Sequence, residues 1–273
     1  MDVGLLRNVV TVLLGFAMGV LSGLFGVGGG VISQPGMRLL GLEPLIVIGT
    51  ALPVIIPGAA SGSRRYWHEG LIRLPAVAAT VPPGLVAAVL GSLAAEHVPG
   101  DGHLLQLLTA ALLLLSSYRM GRAAPAVASD EPLAETDAPE APATPPEGSD
   151  SAGRCAAIGA VAGGLSGLLG IGGGVIMVPA FVHFVRMEVK AAIATSLVCV
   201  GLFAVPGAIT HSLLGHVDWR VAAALIVGVI PGARVGAGLA IRATDRRLRV
   251  TVATFLAIVA VTYAAGEILA LTS

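Results

Sequence analysis

Two glycine runs carry the most unusual chemistry in this chain. They are Gly26-Val27-Gly28-Gly29-Gly30 and Gly170-Ile171-Gly172-Gly173-Gly174, each in the middle of an apolar segment. A helical glycine costs about 1 kcal/mol relative to alanine, so three in a row melt the helix and leave main-chain groups in need of partners. Inside a hydrocarbon layer such a break is tolerated only where protein or a polar cavity covers it. The broken ends then offer free N–H groups and the positive end of a helix dipole, which suit an anion. The expected anion seat is therefore Gly28, Gly29 and Gly30 with Gly172, Gly173 and Gly174. Thr50, Thr195 and Ser196 offer hydroxyls at matching places after the two runs, the plain alternative being a bond back to their own helix. Gln34 follows the first run, where it either donates to the anion or satisfies the broken helix; Val178 stands in its place after the second. The earlier glycines, among them Gly19, Gly23, Gly163 and Gly167, have the spacing of close helix packing.

Arg234 is the one base placed well inside an apolar segment, in Ile230-Pro231-Gly232-Ala233-Arg234. Ionisable groups at such depth are usually functional. Two readings stand side by side: a cavity opened by the Pro-Gly step, or a side chain snorkelling toward Arg242. His211 is the candidate for a coupled proton, because imidazole titrates near neutrality; an interfacial structural role is its alternative. His183, His211 and His216 lack metal-ligand spacing, and so do Cys155 and Cys199, so no metal and no cofactor is expected. Neither run completes G-x-G-x-x-G after a strand, and G-x-x-x-x-G-K-S/T does not occur. No catalytic constellation emerges, so the chain is not read as an enzyme. A net charge of zero and 4% aromatic residues exclude a nucleic-acid partner.

The elements that must hold these residues are membrane segments. Of 273 residues 55% are apolar and 12% charged, with mean hydropathy +0.89, against about 25% charged in soluble domains. Apolar runs of about 20 residues match a bilayer core and lack the alternation of an outer-membrane barrel. Met1 to Gly23 has the outline of a signal peptide, but the same pattern recurs inside the chain, so it is read as a first membrane segment.

The chain is duplicated. Gly15 to Pro35 matches Gly159 to Pro179 at an offset of 144 residues. Ile48-Gly49-Thr50-Ala51-Leu52 answers Ile193-Ala194-Thr195-Ser196-Leu197, Pro57-Gly58 answers Pro206-Gly207, and Pro83-Gly84 answers Pro231-Gly232. Residues 1–120 and 154–273 are the two membrane repeats. Residues 121–153 form a linker whose proline-rich core holds seven acids and no base, a composition that cannot bury a core. The first half is expected to run Leu5 to Gly26, Val31 to Gly41, Pro44 to Ala60, Leu74 to Ala95 and Leu104 to Tyr118. The second runs Cys155 to Gly170, Val175 to Val185, Lys190 to Ser212, Val221 to Ile241 and Val250 to Leu271.

Charge decides the topology, since cytoplasmic loops are enriched in Lys and Arg. If each glycine-run segment crosses once, bases divide 8 to 7. If the chain turns back at the glycines, 12 bases share one side against Arg7, Arg38 and Arg220. The second arrangement gives an all-α membrane protein of two inverted-topology repeats, with about 8–10 segments and glycine-broken helices, the recurring plan of secondary transporters. Both termini are then expected outside and the linker in the cytoplasm.

The paired G-x-x-S-G-L-x-G-x-G-G-G-x-x-x-x-P blocks, each followed by Thr50-Ala51 or Thr195-Ser196 and a Pro-Gly step, resemble the TauE/SafE sulfite-exporter family of membrane transporters. The resemblance covers the chain apart from the linker, which is longer than that family leads one to expect. It implies a cell-membrane permease for small anions such as sulfite or organosulfonates. The alternative from another class is a membrane scaffold or sensor that recruits a partner through the linker.

Overall fold

The computed structural model describes residues 3–39, 41–95, 110–118, 149–170 and 172–272. All its described elements are helical: α1 (Val3–Phe25), α2 (Gly30–Leu39), α3 (Pro44–His68), α4 (Leu74–Ala95), α5 (described over 110–118), α6 (Ser149–Leu169), α7 (Gly174–Phe184), α8 (Val189–Leu213), α9 (Trp219–Arg242) and α10 (Asp245–Thr272). Six of them, α1, α3, α4, α6, α8 and α9, are long and apolar enough to cross a bilayer. The helices α2 and α7 have only 10 and 11 residues. At 1.5 Å per residue they reach about 15 Å, half the thickness of a hydrocarbon core. Each is a short return after a glycine break. Most of the linker, 121–148, lies outside the described residues; α6 begins at Ser149, a few residues inside the stretch read as linker.

Small residues decide which helices touch. Gly15, Gly19 and Gly23 of α1 lie against the backbone at Leu225, Val229 and Ala233 of α9, while Gly228, Gly232 and Gly236 lie against Val12, Phe16 and Val20. A methyl group at any of these positions would run into the facing main chain. Gly159, Gly163 and Gly167 of α6 do the same against Thr80, Gly84 and Ala88 of α4. The first helix of each half thus packs on the fourth helix of the other half. Small-residue stripes suit a membrane, where lipid gives apolar helices little reason to associate and close backbone approach supplies the attraction.

The same contacts give directions. Residue numbers rise together along α1 and α9, along α4 and α6, and along α3 and α9, where Gly58 meets Val229 and Gly62 meets Ala233. Along α3 and α8 they run oppositely: Leu52 meets Gly207, Ala59 meets Gly201, and Gly62 meets Leu197. So α3 and α8, the third helix of each half, are antiparallel at the centre.

Three expectations need correction. The Pro-Gly steps do not open the helices: α3, α4, α8 and α9 each continue through an internal proline. Gly232, expected to open a cavity beside Arg234, instead lets Phe16 of α1 approach. The match of Pro83-Gly84 to Pro231-Gly232 also falls out of register. Packing pairs Thr80 with Gly159 and Leu225 with Gly15, which makes Pro83 equivalent to Gly228. Finally, α3 runs on to His68, eight residues beyond the expected Ala60.

Candidate functional site

The two glycine runs adopt one backbone. Gly26, Gly28 and Gly29 have φ of +68°, +83° and +77°, and Gly170, Gly172 and Gly173 have +65°, +84° and +68°. These are left-handed values that side chains resist, which explains three glycines where one would end a helix. The N–H of Gly26 closes α1 on the Ser22 carbonyl at 2.8 Å, and Gly170 closes α6 on Ser166 at 2.9 Å. The chain restarts with Ser33 N–H donating to Gly29 at 3.1 Å and Met177 N–H donating to Gly173 at 3.2 Å.

The runs touch each other. Gly174, the first residue of α7, lies against the Gly26 carbonyl and Val27 Cα, and a Cβ on Gly172 would stand 3.3 Å from the Val27 carbonyl oxygen. Val200 of α8 and Ile55 of α3 pack against Gly28 and Gly172 from the central helices. Ser196 joins this crossing: its fully buried hydroxyl donates to the Gly26 carbonyl at 2.7 Å. That bond satisfies an acceptor left over at the end of α1. The repeat counterpart Ala51 has no hydroxyl, and Gly170 meets Ile48 instead.

Thr50 and Thr195 stand elsewhere and do matching work. Both are fully buried. The Thr195 hydroxyl accepts from the N–H of Arg73, just before α4, at 3.1 Å; the Thr50 hydroxyl accepts from the N–H of Asp218, just before α9, at 3.0 Å. Each threonine ties its half to the other, at opposite ends of the antiparallel α3–α8 pair. Asp218 also caps α9 through its carboxylate, which accepts from Arg220 and Val221 N–H.

Arg234 is not at the glycine crossing. Its Nε donates to Ser61 Oγ at 3.2 Å, and the Ser61 hydroxyl in turn donates to the Ile230 carbonyl at 2.8 Å. Arg234 lines an open cavity of about 480 Å³ with Ser61, Arg64, Arg65, His68 and Glu69. Along α3 and its C-cap, Arg64, Arg65, His68 and Glu69 follow Ser61 at i+3, i+4, i+7 and i+8, largely one helical face. With α3 expected to end at Ala60, that face was invisible; a helical reading carried two turns further would have exposed it.

His211 is buried, its ring 5.6 Å from that of His216, and its carbonyl accepts from His216 N–H at 2.9 Å. Its place in the repeat is that of Tyr66, whose carbonyl accepts from Leu71 N–H and whose buried hydroxyl donates to Gly23 at 2.6 Å. Gln34 lies in α2; its side chain is outside the described residues.

Helices that span, helices that turn back at paired glycine breaks and backbone-close packing between them define an all-helical, multi-pass membrane protein. Residues 11–263 match the family described as sulfite exporter TauE/SafE, and the chain belongs to that family. It is 30% identical to the probable membrane transporter protein YunE of Bacillus subtilis, over 85% of this chain and 88% of the relative. A probable membrane transporter protein of Xylella fastidiosa is 29% identical over 84% and 82%, and YjnA of Bacillus subtilis 26% over 91% and 96%. The chain is a membrane transporter of this type.

Proposed function

We propose that this chain is a secondary permease for small oxyanions, sulfite or organosulfonates, in the cell membrane, built as two inverted-topology repeats with both termini outside. The observation that carries the reading is the contact between two left-handed glycine loops, one from each half, beneath Ile55 and Val200. Main chain at that crossing supplies dipoles without side-chain bulk, which fits an anion that must be held and then released. In the closed arrangement the loops touch, and parting them opens a seat among Gly28, Gly29, Gly30, Gly172, Gly173 and Gly174, with Ser196 beside it. His211 is the group we propose to carry a coupled proton.

Counterflow of labelled sulfite in proteoliposomes tests this. Gly172→Leu places a side chain against Val200 and Val27 and is expected to abolish counterflow. His211→Gln is expected to keep counterflow while losing accumulation driven by a pH gradient. A Gly172→Leu protein as active as the parent would remove the seat from the glycine loops.

A further inference from the structure

We propose that the cavity between α3 and α9 is a second anion site, separate from the glycine crossing, which binds a small oxyanion through Arg234, Arg64 and Arg65. Three guanidinium groups and the His68 imidazole face about 480 Å³ of space, with Glu69 as the one lining carboxylate. Among the described residues neither Arg64 nor Arg65 has an ion-pair partner. Such a cluster repels itself unless an anion joins it.

The geometry prepares Arg234 for that task. Ser61 holds Nε, which fixes the guanidinium plane and leaves both terminal nitrogens to grip two oxygens of one anion. Arg65 is positioned as well: it lies over α9 at Gly238, where a Cβ would stand 3.1 Å from its Cζ. Gly238 has no unusual φ, so the glycine there serves to admit the arginine. The site reaches inward: Arg234 is eight residues before the end of α9 and Ser61 seven before the end of α3, about 10–12 Å along each helix. Ile55, at the crossing, is six residues further along α3, so the two sites lie about 9 Å apart on that axis. The cavity opens on the side that the arginine count assigns to the cytoplasm. Its oxyanion has two available sources, a free sulfate-like solute or the phosphate of an anionic lipid at the helix ends. The site stands whether or not the chain transports.

Trp67, beside His68, is a built-in reporter once Trp219 is replaced. The experiment uses the full chain as Trp219→Phe in phosphatidylcholine nanodiscs, titrated with sulfate against chloride at constant ionic strength. Expected is a saturable change in Trp67 emission, weakened at least about tenfold by Arg234→Gln and by Arg64→Gln. Arg220→Gln, in the first turn of α9 near the opposite end of α3, leaves it unchanged. Arg64 is exposed, so its variant carries the test if Arg234→Gln fails to fold. A free-anion source gives this result in phosphatidylcholine alone. A lipid source gives a shift on adding phosphatidylglycerol without sulfate, lost in Arg234→Gln and Arg64→Gln. No saturable response in either lipid, or one that both variants retain in full, overturns the proposal.

Discussion

At the scale of single residues, Ser61, Ser196, Thr50 and Thr195 join the two halves through their hydroxyls. Thr50 and Thr195 are 145 residues apart, as are the Asp218 and Arg73 whose N–H groups they accept, so one bond is made twice by the duplication. Thr195→Val keeps the shape but leaves the Arg73 N–H without its acceptor, at a cost of about 1 kcal/mol. We expect a lower apparent melting temperature in detergent, a similar drop for Thr50→Val, and near-additive loss in the double variant because the bonds are at opposite ends of α3. Unchanged melting in both single variants would show that the bonds contribute nothing. The sequence marked these threonines by position in the repeat, yet their partners lie 122 and 168 residues away. Without pairing information, a hydroxyl that ties two halves cannot be told from one that faces a solute. The glycine runs were easier, because three consecutive residues without a side chain already require a backbone that side chains resist.

At the scale of elements, hydropathy located the helices well. Leu74–Ala95 appears with the expected ends, and α2 and α7 appear as short returns. The misplaced end of α3 has a physical cause. Polar residues from Ser61 onward leave the apolar pattern, but the helix continues because Tyr66 anchors it to α1 and the arginines line a cavity instead of facing lipid. Glycine roles were equally mixed in the sequence: those at four-residue spacing pack, and those in runs turn the chain. The packing role is testable on one helix. Gly163 of α6 lies on the Gly84 backbone, whereas Gly153 has nothing within 4 Å of an added Cβ. Gly163→Leu pushes two backbones apart, and overpacking of this kind typically costs about 1–3 kcal/mol or more. We expect it to give little monodisperse protein on size-exclusion chromatography, while Gly153→Leu behaves like the parent. Equal behaviour of the two would mean that the α4–α6 seam is not close-packed.

At the scale of the whole molecule, the exchange of packing limits how it can move. With α1 on α9 and α6 on α4, the sequence halves are interlocked and cannot rock as two separate bodies, as a simple two-half scheme requires. The units that can shift are composite, α1 with α9 and α4 with α6, on either side of the antiparallel α3–α8 pair. The inverted topology proposed above puts equivalent ends of the two repeats on opposite sides of the membrane. Glu43 and Glu188 test it directly, since they precede α3 and α8 at equivalent places and both are exposed. The native thiols Cys155 and Cys199 are 3% and 0% exposed, so single cysteines at the glutamates dominate labelling. With a membrane-impermeant maleimide, Glu43→Cys should react in right-side-out vesicles and Glu188→Cys only in inverted ones. If both react from the same side, the halves face alike. The antiparallel contacts of Leu52 with Gly207 and Ala59 with Gly201 could not then form in the bilayer, and the glycine loops would not approach from opposite leaflets.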